Sequence, residues 1–382
     1  MSRRGARVLV TVFPAASHLY PVVPTAWALR AAGHEVRLAV PPSFRPVAVR
    51  TGLPVVQVGR DADTGAAWRG FAPPADPDEA AADRAARTVA MFGSVAEAAA
   101  EDLTALARRW ADVVVFDPRA YAGPLAAALA GRPAVRFLYG VDHTYAQRSR
   151  EEPLLEPLWR RWGPDTVDPA GSLTLDPCPD ALQTDTPPGS RAVRYVPFNG
   201  ASRVPVPLHA PADVPRVCVT WGTSSGASAG HLEPLLRVLA ALAPLHCETV
   251  VLVAGDQRGL LGDVPPGVQV LESVPLHAVL PACDLVVHQG GAGTTMTAAA
   301  CGTPQLVVPA KGDQLVHAGR VVAAGVGRRI PASELSVPAV RTAVTEMLQD
   351  GGLRSAAADV ARENRGRPSP AAAAEVLAGL IA

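Results

Sequence analysis

Residues 288–314 read HQGGAGTTMTAAACGTPQLVVPAKGDQ. An apolar segment, Leu285–Val287, runs into Gly290, Gly291 and Gly293, then into Thr294, Thr295 and an alanine-rich stretch of helical character. Glycines at a strand-to-helix turn let a ligand approach the backbone. The unpaired N–H groups of the helix's first turn then favour an anion. A second apolar strand, Gln305–Val308, follows and ends in a polar loop carrying Asp313 and Gln314. This is one βαβ unit of a parallel sheet with an anion-binding turn at its head.

Working outward, the same alternation fills the chain. Residues 7–13 read as a buried strand, Pro21–Ala32 as a helix closed by Gly33, and Glu35–Val40 as the next strand, the opening of a doubly wound sheet. Residues 59–80 are polar and Gly/Pro/Asp-rich and read as a loop. Residues 83–109 read as a long helix with a break at Gly93. Asp112–Phe116 is a strand ending at Asp117, with a helix from Gly123 and a strand at Ala134–Leu138 beyond it. Residues 142–180 lose periodicity and gain prolines. A second α/β pattern begins at Val217–Thr220 and continues through Leu232–Ala243, Thr249–Ala254 and Val268–Leu271. The expected organisation is an α/β protein of two Rossmann-like, doubly wound domains with an interdomain cleft. Residues 1–200 form the first domain, 201–215 the linker and 216–365 the second domain. A helix within 366–382 returns to the first domain.

Composition bounds the function. The chain has 382 residues, too many for one ordinary core. A formal net charge of +0 and 18% charged residues argue against a nucleic-acid or anionic-membrane partner. Lys311 is the only lysine among 35 Lys and Arg residues, a bias suited to a high-GC genome. Five scattered cysteines with no CxxC spacing suggest reduced thiols in a cytoplasmic protein. No segment is long and apolar enough to span a membrane.

The order His288, Gly290-Gly291, Gly293-Thr294, Pro304-Gln305, Asp313-Gln314 resembles the donor-binding signature of family 1 glycosyltransferases of the GT-B fold. It is most similar to bacterial enzymes that attach deoxysugars to antibiotics and other secondary metabolites. The resemblance implies that His288 and the N–H groups of Ala292, Gly293 and Thr294 bind the donor diphosphate. It implies that Asp313 and Gln314 hold sugar hydroxyls. Trp221-Gly222-Thr223 is similar to the family's second phosphate-side turn, and Val274 and Leu276 to its base-reading segment. Relatives that use UDP-glucose carry a Glu eight residues after the motif His. Met296 stands there, which favours a dTDP-sugar; the plainer reading is that Met296 packs in the core.

In the first domain, His18 in SHLYP resembles the family's general base, and Asp117 its orienting carboxylate. A helix-start histidine and a helix N-cap are the alternatives. Asp142, in YGVDHT, is a second candidate base. Trp68, Phe71, Met91, Phe92, Tyr145 and Trp159 lie in variable segments and suit either a flat apolar acceptor or loop packing. Asp61-Ala62-Asp63 reads as a solvated loop rather than a metal motif.

The reading is therefore an inverting glycosyltransferase with no cofactor and no metal, its dTDP-sugar being a co-substrate. Its partners are a nucleotide-sugar and a hydrophobic small molecule, with a homodimer as an open option. A GT-B nucleotide-sugar epimerase and a non-catalytic sugar-nucleotide-binding helper are the rivals. A dinucleotide oxidoreductase fits poorly, because the first turn, Pro14–His18, lacks glycine.

Overall fold

The computed structural model describes residues 5–72, 74–163, 167–201, 213–222, 232–310 and 312–381. The chain divides into two compact units. One comprises Met1–Pro177, Thr184–Arg194 and Pro368–Ala382; the other comprises Cys178–Gln183 and Tyr195–Arg367.

The first unit is built on a seven-stranded parallel sheet. Its strands are β1 (Arg7–Thr11), β2 (Glu35–Val40), β3 (Val55–Gln57), β4 (Val113–Phe116), β5 (Ala134–Phe137), β6 (Leu173–Asp176) and β7 (Arg191–Ala192). They lie in the order β3-β2-β1-β4-β5-β6-β7. The order reverses beside β1, so the carboxyl ends of β1 and β4 flank the switch point where open α/β sheets bind ligands. In register, Thr11 lies beside Phe116, which brings Phe13 and Asp117 together just past those ends.

The longer helices of this unit are α1 (Val23–Ala31), α2 (Pro77–Trp110), α3 (Ala122–Ala130) and α4 (Arg148–Trp162). Two expectations are corrected here. Helix α2 runs unbroken through Gly93 for 34 residues, its N-terminus capped by Asp76, which accepts from the N–H groups of Asp78 and Glu79. Its long buried face, with Phe92, Ala96, Ala100, Leu103 and Ala107, outweighs the cost of one glycine. The segment 142–180 also contains the 15-residue helix α4, with Pro153 and Pro157 inside it. Burial of Leu155, Leu158 and Trp159 in the same core offsets the lost backbone donors.

The second unit carries a six-stranded parallel sheet. Its strands are β8 (Arg216–Thr220), β9 (Glu248–Val253), β10 (Val268–Glu272), β11 (Leu285–His288), β12 (Gln305–Val307) and β13 (Gly327–Arg329). Their order is β10-β9-β8-β11-β12-β13. Alternate residues serve two cores. Val217, Val219, Val251, Leu285 and Val287 enter one apolar cluster, while Cys218, Val250, Leu252 and Val286 enter another on the opposite face. Both faces are covered, which is why these strands read as continuous apolar runs. The longer helices are α5 (Glu233–Leu242), α6 (Ala292–Cys301), α7 (Asp313–Ala323), α8 (Val337–Gln349) and α9 (Gly351–Gly366).

The final helix, α10 (Pro370–Ile381), returns to the first unit and packs on α1. Tyr195–Ala201, which the sequence reading assigns to the first domain and its linker, cluster with the second unit. Residues 202–212 of the expected linker lie outside the described residues. Among the described residues, no helix is long and apolar enough to cross a membrane.

Candidate active site

Past the end of β1, His18 lies in a short helix, Ala16–Leu19. Its Nδ1 is 3.0 Å from Asp117 Oδ1, with side-chain exposures of 12% and 2%. The Asp117 carboxylate has two further donors. Oδ1 accepts from the Arg119 N–H at 2.8 Å, and Oδ2 accepts from the Phe13 N–H at 2.5 Å. A carboxylate held by three donors cannot rotate away, so it fixes both the ring plane and the proton position. With Nδ1–H given to Asp117, the lone pair of His18 is at Nε2. That is the orientation a general base needs.

The ring is enclosed by aromatics. Tyr139 stands 4.3 Å away between ring centroids, Phe13 5.2 Å and Phe92 6.3 Å. Tyr121 continues the wall from Phe92, and Trp159 from Tyr121. The Arg119 guanidinium lies over the Phe92 ring at 4.9 Å. It donates to the Tyr121 hydroxyl and to both oxygens of the buried Glu151. Of the aromatics expected to meet an acceptor, Phe92 adjoins His18 and Trp159 stands two rings behind it. Trp68, Phe71 and Met91 form a separate group: Trp68 Nε1–H donates to Met91 Sδ, and its ring meets Phe71 edge-on. Tyr145 carries Arg148 on its face at 3.9 Å. Phe13, Tyr121 and Tyr139 escaped sequence reasoning; their signal is position, two to five residues beyond the ends of β1, β4 and β5.

Asp142 is corrected as a candidate base. It is buried and gripped by Arg136, with Nη1 to Oδ2 at 2.6 Å and Nη2 to Oδ1 at 2.7 Å. Oδ1 also accepts from the Thr144 hydroxyl and from the Tyr145 N–H. Asp142 also caps the short helix His143–Ala146, so its carboxylate is committed to the local structure. Asp61 and Asp63 are likewise engaged: Asp61 accepts from the Ser43 N–H, and Asp63 pairs with Arg69.

In the second unit the Gly-rich turn takes shape from the inside. His288, at the end of β11, is 0% exposed. Its Nδ1 accepts from the Gly290 N–H and its Nε2–H donates to Gln305 Oε1, both at 3.0 Å. Burial pushes this imidazole down to about 4, so it is neutral. Both ring nitrogens hold the turn, so the donor contact that the resemblance implies for His288 would replace one of these bonds.

Gly290, at φ +90, has no room for a side chain, because a Cβ would fall 2.9 Å from Val307. Its carbonyl accepts from His317 Nδ1–H at 2.8 Å. Gly291 caps α6 with no side-chain bond, so the N–H groups of Ala292, Gly293 and Thr294 have no partner within the helix. Among the described residues, a Cβ on Gly293 would meet nothing within 4 Å.

Gln289 is the side chain that sequence reasoning missed. It is 7% exposed, and its buried Oε1 has no hydrogen-bond partner. Its Nε2 lies 2.5 Å from where a Cβ on Gly222 would stand and 3.0 Å from one on Gly291. The carboxamide thus sits between the turn after β8 and the turn after β11. Gly222, at φ +67, follows the buried Trp221; Thr223 lies outside the described residues. On the other flank Asp313 opens α7, and Gln314 accepts from the Ala310 N–H. Val274 and Leu276 follow β10, with Leu276 buried and Val274 half-buried. Met296 is 1% exposed, so it packs in the core, and the position carries no carboxylate for a ribose.

Two parallel α/β units, one ending in a His–Asp pair among aromatics and the other in a glycine turn with free helix N–H groups, define a glycosyltransferase of the GT-B fold. The spinosyn rhamnosyltransferase SpnG shares that fold with a TM-score of 0.86 at 33% identity, covering 97% of this chain and 99% of that one; it has also been solved with thymidine diphosphate and with spinosyn aglycone. The glycosyltransferase VinC, in complex with dTDP, gives a TM-score of 0.84 at 30% identity, covering 98% and 99%. The chain belongs to the Erythromycin biosynthesis protein CIII-like family: residues 27–222 match its N-terminal domain and residues 236–380 its C-terminal domain. L-demethylnoviosyl transferase of Streptomyces niveus is 38% identical, with 97% of each chain covered. The 10-deoxymethynolide desosaminyltransferase of Streptomyces venezuelae is 35% identical, covering 96% of this chain and 95% of its own.

Proposed function

We propose that this enzyme transfers a deoxyhexose from a dTDP-sugar to a hydrophobic natural-product acceptor, with inversion and without a metal. The observation that carries the reading is the His18–Asp117 contact, which leaves Nε2 as a proton acceptor within an aromatic surround. The acceptor hydroxyl loses its proton to Nε2 as its oxygen bonds to the anomeric carbon. The bond from that carbon to the diphosphate breaks on the opposite face, and its electron pair leaves with the diphosphate. The N–H groups of Ala292, Gly293 and Thr294 receive the growing charge as fixed dipoles that need no reorganisation. They take the part that a divalent cation would otherwise play, so EDTA should leave the rate unchanged.

The thymidine nucleotide is supported by the complexes of SpnG and VinC, and the acceptor class by relatives named for tylactone and aklavinone. The test is a thermal-shift comparison of dTDP with UDP, followed by dTDP release from a dTDP-deoxysugar in the presence of those two acceptors. Greater stabilisation by UDP, or donor turnover indifferent to any acceptor, would overturn the proposal.

A further inference from the structure

Asn199 lies in the stretch Tyr195–Ala201, ahead of the first strand of the unit it joins. Tyr195 anchors this stretch. Its N–H donates to Asn364 Oδ1, and its carbonyl accepts from Asn364 Nδ2. Four residues on, the carboxamide of Asn199 makes three hydrogen bonds. Oδ1 accepts from the His277 backbone N–H at 2.9 Å and lies 3.0 Å from His277 Nδ1. Nδ2 donates to Thr297 Oγ1 at 3.1 Å. The fully buried Thr297 hydroxyl in turn donates to the Gly293 carbonyl.

These contacts determine every proton in the chain. A backbone N–H can only donate, so the Asn199 atom facing it is the oxygen. The same oxygen faces His277 Nδ1, which must then carry the ring proton. Thr297 spends its only proton on a carbonyl, so it must accept from Asn199 Nδ2. His277 is half-buried and burial lowers its affinity for a proton, in keeping with a neutral ring protonated at Nδ1 alone.

The two ends of this chain belong to the two halves of the donor site. His277 follows Val274–Leu276, the segment matching the base-reading stretch. Gly293 belongs to the first turn of α6. The segment is also held from its other side. Ser273, immediately before Val274, is a non-glycine residue with positive φ, at 54. It is kept there by its N–H to the Val253 carbonyl and by its hydroxyl, which accepts from the Gly255 N–H. A strained residue on one side and a three-way carboxamide on the other over-determine the segment.

We infer that Asn199 is a positioning residue of the donor site, holding the nucleoside-facing segment and the diphosphate-facing helix turn in fixed register through His277 and Thr297. The inference rests on the donor reading above. It places a determinant of nucleotide affinity in a residue that precedes every strand of the second unit and carries no charge.

The test uses the full chain, with dTDP as the probe, and compares Asn199→Ala and Asn199→Asp with the unchanged protein by calorimetry. In parallel, long-range ¹H–¹⁵N spectra report the His277 tautomer, assigned through His277→Gln. Asn199→Ala should weaken dTDP about tenfold, and Asn199→Asp, which keeps both acceptor contacts to His277, about threefold. His277 should be protonated at Nδ1 in the unchanged chain and should revert to the Nε2–H form in Asn199→Ala. A general packing role would not move the tautomer. Affinity within about twofold of the unchanged protein, or an unaltered tautomer, overturns the inference. If Asn199→Ala does not fold, Asn199→Asp carries the affinity comparison, with the tautomer expected to stay at Nδ1 because both acceptor contacts remain. If the unchanged chain fails to bind dTDP, the donor reading falls, while the tautomer result still decides whether Asn199 governs His277.

Discussion

The two units solve opposite electrostatic problems with different materials. Around His18 the first unit buries formal charges and pairs them: Asp117 with three donors, Arg119 with Glu151, Arg136 with Asp142. Around Gly290–Thr294 the second unit uses the neutral ring of His288, the carboxamides of Gln289 and Gln305, and backbone N–H donors. A proton is best taken by a group whose orientation a fixed charge enforces. A departing dianion is best received by dipoles that carry no counter-charge and stay unpaired until it forms. On the proposed reading, the first unit moves the proton and the second accepts the charge.

The largest expected effect tests the charged half. His18→Ala should lower turnover roughly 10²–10⁴-fold while leaving dTDP affinity nearly unchanged, as read by initial rates and calorimetry. Near-normal turnover would remove His18 as the base and with it the contrast.

A finer cut compares two buried carboxylates. Asp117→Asn should cost on the order of 10²-fold in turnover per folded molecule, since an amide can hold the wrong tautomer of His18, together with a moderate fall in melting temperature because one backbone N–H loses its acceptor. Asp142→Ala should do the reverse, costing about 3–5 kcal/mol of stability by leaving Arg136 buried and unpaired, with turnover per folded molecule preserved. If both variants lose turnover equally, the assignment of Asp142 to structure is wrong.

The neutral half has a pH signature. His288 is held at about 4 in the fold, against an ordinary value of 6.5. As pH falls, the unfolded chain therefore binds this proton first. Stability from this group is complete above about pH 6.5, declines as pH falls towards 4, and levels off below. The total is roughly 3 kcal/mol at most. Urea midpoints at pH 7.5 and pH 5 should show the decline, and His288→Gln should shrink it. A pH-independent difference between the two proteins would contradict a neutral buried ring.

The smallest effect separates folding from binding. Gly293→Ala adds a methyl group within a helix, where it meets nothing within 4 Å among the described residues, so the melting temperature should hold or rise slightly. The same methyl group stands where a diphosphate would approach, and dTDP affinity should fall about tenfold. Unchanged affinity would mean that the ligand does not meet this turn.

Much of this was readable in the chain, for identifiable reasons. Buried parallel strands are continuous apolar runs, so β1, β4, β8 and β11 stood out. Gly290 marks the turn because its φ of +90 and a Cβ position only 2.9 Å from Val307 exclude a side chain. Asp117 was legible as the polar residue that stops an apolar strand. What stays hidden is direction. Sequence order does not say which of two neighbours faces a ligand, and at positions 288 and 289 the histidine turns inward and the glutamine fills the space between the turns. Asp142 shows the same limit: its engagement by Arg136 depends on a bend after β5 that no local pattern encodes. The prolines of α4 hid a helix because its stability comes from burial against α2, a long-range term.

The return of α10 to α1 also sets an order of events during synthesis. The strands of the first unit emerge from the ribosome early, but the face of α1 that receives Pro370, Ala373, Ala374 and Leu377 must wait for nearly the whole chain. The unit begun first is thus completed last, after the second unit has every residue it needs to fold. A chain truncated just short of residue 370 and released should hold a finished second unit and a first unit still open to protease at α1.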